Sequence, residues 1–324
     1  MEQIPLVSCL VIAYKHAPYL RTCLDSLLGQ VTEFPFEVIV GDDCSNDGSA
    51  EILREYQEKY PDNLIVIINE KNLGASQNGK KIRSYSRGKY IASCEGDDFW
   101  CDDYKLQKQV DYLETHPEIE AVGSNYYFVD INGGNKKRKL RKGQTNRVYH
   151  LKDYLYKGFL IHGNTLVRRV HPELEKDEKY MKLREAVPTM GDVISRIQIY
   201  DRGGIYVFPE PMLCHRDGSD VASSFSAQNQ TKAIYYSEMY AELIHAIEEY
   251  YDGRYDLSPK IASRLASVFL GKLLRNNCFD MKSFFSLLKK QTFKTKCLFV
   301  LEFCYFVIEG TWNKFYWMFH DRAE

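Results

Sequence analysis

The apolar run at residues 90–93 leads into Glu95-Gly96-Asp97-Asp98, and carboxylates this close repel one another unless something positive sits between them. Mg2+ or Mn2+ suits such oxygens, because these ions take one or two carboxylates together with substrate phosphates and water. A cation there would neutralise a diphosphate leaving group as its bond breaks. The competing explanation, an acidic helix N-terminus, accounts for Asp102-Asp103 better than for Asp97-Asp98. A second pair, Asp42-Asp43, ends another apolar run and opens the turn Cys44-Ser45-Asn46-Asp47-Gly48. Such carboxylates can accept hydrogen bonds from a base N–H or from ribose hydroxyls. The same residues also suit plain turn chemistry.

Positioning these acids requires strands that end together. Val7–Ala13 is a continuous apolar run, as a strand buried on both faces requires. Tyr19-Leu20, Cys23-Leu24 and Leu27-Leu28 follow at helical spacing. Strands at 37–41, 64–68 and 90–93 then alternate with helices at 49–60 and 76–86. The alternation predicts an α/β fold with a doubly wound, mostly parallel sheet and helices on both faces. Ligands of such sheets bind beyond the carboxyl ends of the strands, which puts Tyr14, Asp42-Asp43 and Glu95–Asp98 on one rim. Further on come short strands at 121–124 and 126–130, a turn at Asn132-Gly133-Gly134-Asn135 and a basic run at 136–142. From Ser226 the chain reads helical, over 233–251, 259–275, 283–289 and 296–319.

The totals exclude several classes. With 43 basic and 44 acidic residues the net charge is −1, so the chain has no whole-molecule footprint for nucleic acid. Nine scattered cysteines without a CxxC pair indicate neither a zinc site nor a redox motif, and fit a reduced, cytoplasmic setting. The N-terminus reads as a strand, not a signal peptide. No G-x-G-x-x-G follows the first strand, as a Rossmann dehydrogenase needs, and the turn AYKHAPY lacks the Gly-rich loop of a nucleotidyltransferase. A nucleotidyltransferase and a non-catalytic nucleotide-sugar-binding protein are the alternatives to the enzyme described next.

The segments VSCLVIAYKHAPYLRTCLDSLLGQ, FEVIVGDDCSNDGS and NLGASQNGKKIRSYSRGKYIASCEGDD occur in order. Over about the first 130 residues the chain resembles family 2 glycosyltransferases of the GT-A fold. The resemblance implies an inverting transferase that moves a sugar from a nucleotide-diphospho-sugar, commonly a UDP-sugar, to an acceptor hydroxyl with Mn2+ or Mg2+ bound. It implies that Ala13 and Tyr14 lie against the base, that Asp43 beside Asp42 binds it, and that Asp97 and Asp98 form the DXD-like motif, with Asp98 on the metal. Ser76-Gln77-Asn78 stands where the family often has Ala-Arg-Asn, which keeps Asn78 near the nucleotide but removes a fixed charge. Met190-Gly191-Asp192 matches the place of the catalytic base; Asp192 would deprotonate the acceptor, and could equally cap the helix that follows. His162-Gly163-Asn164 matches an acceptor-side segment. Cys214-His215-Arg216 resembles a late loop over the diphosphate, with either His215 as a metal ligand or Arg216 as a phosphate clamp.

On this reading residues 1–225 form the GT-A domain, with a nucleotide half (1–130) and an acceptor half (131–225). Residues 226–324 form a helical extension. Its run Cys297-Leu298 to Ile308 is too short to span a bilayer, yet basic flanks and Trp312, Tyr316 and Trp317 suit an interfacial helix. A membrane surface, a core contact or a homodimer face are its three readings. A glycan or lipid-linked acceptor in polysaccharide or lipopolysaccharide assembly, at the inner face of the membrane, is the expectation from family and tail together.

Overall fold

A computed structural model describes residues 4–157, 161–186, 191–216, 233–274 and 281–305. The chain divides into two compact units, Met1–Glu173 with Gly191–Gly218, and Leu174–Met190 with Ser219–Glu324.

The first unit opens with β1 (Val7–Ala13), α1 (Ala17–Leu28), β2 (Phe36–Asp42), α2 (Ser49–Lys59), β3 (Leu64–Ile68), α3 (Ala75–Arg83) and β4 (Tyr90–Glu95). Val7, Cys9 and Val11 of β1 are fully buried, as a central strand covered on both faces must be. Strand order starts β3-β2-β1-β4, with all three pairings parallel. The chain therefore winds outward through β2 and β3 and then crosses back to the far side of β1. Right-handed crossovers consequently put α1 and α2 on one face and α3 on the other. Beneath α3, Ile82 joins Leu10, Ile39, Ile67 and Ile91 in one apolar cluster. Register aligns Ala13 with Asp42 and Ile12 with Glu95, so the carboxyl ends of β1, β2 and β4 form a level edge where the winding reverses. That reversal is the crevice in which doubly wound folds bind ligands.

The unit continues through β5 (Phe99–Trp100), α4 (Lys105–Thr115), β6 (Ala121–Val129), β7 (Lys137–Arg138), β8 (Arg147–Tyr149), α5 (Leu151–Lys157) and β9 (Val167–Arg169). After α6 (Glu178–Ala186), which belongs to the second unit, come α7 (Gly191–Arg202) and β10 (Ile205–Arg216). These strands extend the sheet as β9-β6-β10-β5, with β9 and β5 antiparallel to their neighbours and β6 parallel to β10.

Two features differ from the sequence expectation. The two short strands at 121–130 are one strand. Asn125 sustains it by using its side chain as a strand partner, donating to the Leu140 carbonyl at 3.1 Å and accepting from Leu140 N at 2.9 Å. β10 runs through Pro209 and Pro211, and register shifts between Phe208 and Leu213 absorb the two missing donors.

In the second unit α6 lies beside α8 (Ala233–Tyr250), with α9 (Ser258–Leu274), α10 (Met281–Lys290) and a helix over residues 293–305, α11, completing the described part. Phe269, Phe284 and Phe299 bring their ring centroids to 4.9–6.1 Å of one another, which accounts for part of the aromatic crowding late in the chain. No described helix is long and apolar enough to cross a membrane.

Candidate active site

The loop after β1 is tied to the loop after β2. Lys15 N donates to Ser45 Oγ at 2.8 Å, Ala17 N to Asp47 Oδ2 at 3.0 Å, and Asp43 N to the Ala13 carbonyl at 2.9 Å. Lys15 takes a left-handed φ of 59°, and Tyr14 beside it is 42% exposed at the rim. Asp42 is fully buried, with Oδ2 accepting from Ser45 N and Oδ1 without a partner. Asp43 is buried and accepts from Leu73 N and Gly74 N, each at 2.8 Å, and from Asn69 Nδ2 at 3.2 Å. It thus holds the loop before α3. Asn78, 1% exposed, donates to the Gly41 carbonyl and accepts from Asn69. Only glycine fits at 41, because a Cβ there would stand 2.3 Å from Asn78 Oδ1.

The turn after β4 sends its two aspartates in different directions. Gly96 N donates to the Ile12 carbonyl at 2.9 Å and Asp98 N to that of Glu95 at 3.0 Å, which fixes the turn against β1. Asp97 faces the β1–α1 loop, where its Oδ2 lies 3.8 Å from His16 Nε2 and its Oδ1 is buried without a partner. Asp98 faces β10 and is fully buried. It accepts from Asn164 Nδ2 at 2.7 Å, from His215 Nδ1 at 3.0 Å and from Arg216 N at 3.0 Å. The His162 ring lies 4.4 Å from the His215 ring, centroid to centroid. One ligand atom each from Asp98, His162 and His215 falls within 4.8 Å of the others. Asp97, expected as a metal ligand beside Asp98 and His215, is not among those three, and His162 is.

Burial and the mutual repulsion of the carboxylates dominate the electrostatics of this edge. Burial, then Asp98 and Asp97, push the Glu95 carboxyl up to about 7. Burial raises Asp97 as well; His16 opposes the rise and Asp98 adds to it. Burial works against an imidazolium at His215, yet the hydrogen bond and charge of Asp98, with Glu95 and Asp97, raise its pKa. Burial followed by the neighbouring His215 drives His162 down to about 4, which leaves a neutral ring at pH 7, its Nδ1 accepting from Asn164 N at 3.4 Å. One carboxylate and two imidazoles are a donor set for a divalent transition cation. Asn164 and Arg216 N already orient the carboxylate from behind, as outer donors do in metal sites.

Arg216 itself is 7% exposed. Its guanidinium lies between the Tyr19 and Phe99 rings, 4.9 Å from each, and donates to the carbonyls of Asp97 and Ile131. Those donors tie the DXD-like turn to the loop after β6. Asp192 is the second residue of α7, and its side chain lies outside the described residues, as do Asp217, Gly218 and Ser219. One helical turn after Asp192, Arg196 reaches the Ile161 carbonyl at 3.3 Å, so α7 starts beside the His162 loop.

Sequence reasoning did not single out His16, and it named Asn164 only as part of the acceptor-side segment His162-Gly163-Asn164 and Glu95 only as part of the acidic turn. Asn164 sits two residues from His162, and its adjacency to a flagged histidine was the available signal. Nothing local marks His16, which meets Asp97 only through the β1–β4 pairing. A cavity of about 580 Å3 lined by Leu6, Pro35 and Arg87 opens at the opposite, amino ends of the strands and shares no residue with this cluster.

Comparison with known proteins agrees with the geometry. An uncharacterised protein of Mycobacterium tuberculosis (strain ATCC 25618 / H37Rv) is 46% identical over 112 residues, 35% of this chain and 32% of that one. An uncharacterised glycosyltransferase of Methanocaldococcus jannaschii is 32% identical over 184 residues, 56% of this chain and 62% of that one. A Bacillus subtilis (strain 168) protein described as a teichuronic acid biosynthesis glycosyltransferase, TuaG, is 36% identical over 109 residues, 34% of this chain and 42% of that one. The matched stretch thus spans from about a third to under two thirds of these relatives' lengths. Among solved structures, residues 1–349 of S. aureus TarS, determined with UDP and with UDP-GlcNAc, share the fold at TM-scores of 0.55 and 0.56 and 19% and 17% identity. The alignments cover 90% and 91% of this chain and 76% and 79% of TarS 1–349. The model of the glycosyl transferase family 2 matches residues 8–171, half of the chain, and that stretch carries the whole level edge from Tyr14 through Asp98 to His162. By that match the chain belongs to glycosyl transferase family 2.

Proposed function

We propose that this glycosyltransferase moves a sugar from a UDP-sugar to an acceptor hydroxyl with inversion, using a divalent cation at the Asp98 cluster. The observation that carries the reading is the meeting of Asp98, His162 and His215 at the carboxyl edge, beside the Glu95 carboxyl that burial and the two aspartates push up to about 7. UDP is favoured as the nucleotide because the TarS structures of the same fold hold UDP and UDP-GlcNAc. Ala13, Tyr14, Asp42, Asp43 and Asn78 form or brace the nucleotide side, with Asp97 turned toward the same crevice. Residues 1–225 are the catalytic domain in this reading, and 226–324 an extension.

The cation, Mn2+ ahead of Mg2+ given two imidazoles, would sit on Asp98, His215 and His162 and neutralise the departing diphosphate. Asp192 accepts the proton of the acceptor hydroxyl as that oxygen attacks the anomeric carbon opposite the leaving group. Arg216 holds the Asp97–Asp98 turn closed from behind, and its backbone N–H keeps the Asp98 carboxylate aimed. The acceptor is a glycan or lipid-linked glycan in polysaccharide assembly, a reading TuaG's described role supports.

UDP release from a panel of UDP-sugars, measured with Mn2+, with Mg2+ and with chelator, tests the reading. Asp98→Ala should abolish the metal response. Asp192→Asn should lower turnover by about 100-fold or more with the metal response intact. Full metal-dependent release by Asp98→Ala would refute the cation site, and wild-type transfer by Asp192→Asn the base.

A further inference from the structure

Helix α11 wears its apolar stripe on the outside. Phe293, Cys297, Val300, Leu301 and Cys304 recur at i, i+4, i+7, i+8 and i+11, the spacing of a single helix face. A helix in a water-soluble unit normally turns that face inward. Here Phe293 is 82% exposed, Val300 55% and Leu301 65%, and both cysteines are exposed. The side turned inward instead carries Thr295 and Phe299. Phe285, 51% exposed on α10, adds to the apolar surface of this unit.

The same segment is basic in a chain of net charge −1. Residues 281–305 contain Lys282, Lys289, Lys290, Lys294 and Lys296 against one acid, Glu302. Lys290 and Lys294 meet Glu238 and Asp256 in exposed pairs, which contribute little and exchange readily for other anions. Two copies of such a face repel each other, whereas an anionic surface attracts it. Beyond residue 305 the sequence continues with Trp312, Phe315, Tyr316 and Trp317, the aromatic types that favour a membrane–water interface.

We propose that α11 docks this chain onto an anionic lipid surface, lying in the interface with Phe293, Val300 and Leu301 inserted and the lysines at the headgroups. The helix lies on the bilayer and does not cross it. The surface is formed by the second unit alone, so the inference does not depend on the transferase reading.

Co-sedimentation of the full chain with vesicles tests it. Wild type should bind vesicles of phosphatidylglycerol and phosphatidylcholine in equal parts, release them as salt rises, and leave pure phosphatidylcholine unbound. A Val300→Asp, Leu301→Asp double variant alters only exposed positions. It should keep the wild-type melting curve and bind the anionic vesicles about tenfold or more weakly. UDP-sugar turnover in vesicle-free solution should be the same for both proteins, so loss of docking and loss of catalysis are read apart. Failure of wild type to bind, equal binding to both vesicle types, or undiminished binding by the double variant overturns the proposal. So does a concentration-dependent dimer in sedimentation velocity that the double variant dissolves, because the face would then belong to a second copy.

Discussion

Replacing Glu95 with Gln should stabilise the cation-free protein above neutral pH by an amount the site geometry sets. Burial, then Asp98 and Asp97, lift this carboxyl from an ordinary 4.5 to about 7. A folded-state pKa above the unfolded one means the group's contribution is fully present below pH 4.5 and is lost as pH rises through 7. The gap corresponds to about 3 kcal/mol lost across that window. In a unit of this size that is about 6–12 °C in Tm. The Gln variant is neutral at every pH and escapes the loss. Thermal unfolding with chelator, at about pH 5 and about pH 8.5, should therefore give Glu95→Gln a smaller fall in Tm than wild type by roughly that margin. His215, also raised, titrates in the same direction and leaves a residual slope in both proteins. Mn2+ should restore more stability to wild type than to the variant at the higher pH, because a cation makes the ionised carboxylate favourable. Equal falls in Tm for the two proteins would refute the account and place the stored charge elsewhere.

Asp43→Asn places an amide NH2 among three donors, so it should cost about 1–3 kcal/mol and speed hydrogen exchange at Leu73 and Gly74; unchanged exchange there would mean the loop stands without the carboxylate. Gly96→Ala adds a Cβ 2.9 Å from His16 Nδ1 and 3.1 Å from Ala13 Cβ, an overpacking worth about 1–3 kcal/mol in denaturant unfolding, with His16 displaced from Asp97 in a crystal structure. Arg216→Lys keeps the backbone N–H on Asp98 but loses the stacked fork between Tyr19 and Phe99. It should destabilise by about 1–3 kcal/mol, read in the same unfolding assay.

The nucleotide half was legible because its signals are local. Each strand of β1–β4 is an unbroken or nearly unbroken apolar run, each is followed by turn residues, and alternation with helices leaves one topology for the reversal. The acceptor half was less so. β10 carries two prolines that argue against a long strand, and only pairing with β6 on one side and with β5 and β8 on the other holds it together. Arg216 as a phosphate clamp is one of two alternatives for its segment, beside His215 as a metal ligand, because a cation near a diphosphate is a natural assignment. Its burial between two rings follows from Tyr19 and Phe99, which no local pattern connects to it.

The acids at Asp42-Asp43 and Glu95–Asp98, and their common edge, follow from sequence periodicity, since strands of similar length in a parallel sheet must end together. Which neighbours those acids meet does not. Asp98 finds His215 across 117 positions and Asn164 across 66 because β9, β6 and β10 insert beyond β4 in that order and register. Asp97, one residue earlier, turns to His16 instead. Adjacent side chains on a tight turn diverge, and only the elements packed on either side decide which of them enters the cluster and which faces the crevice.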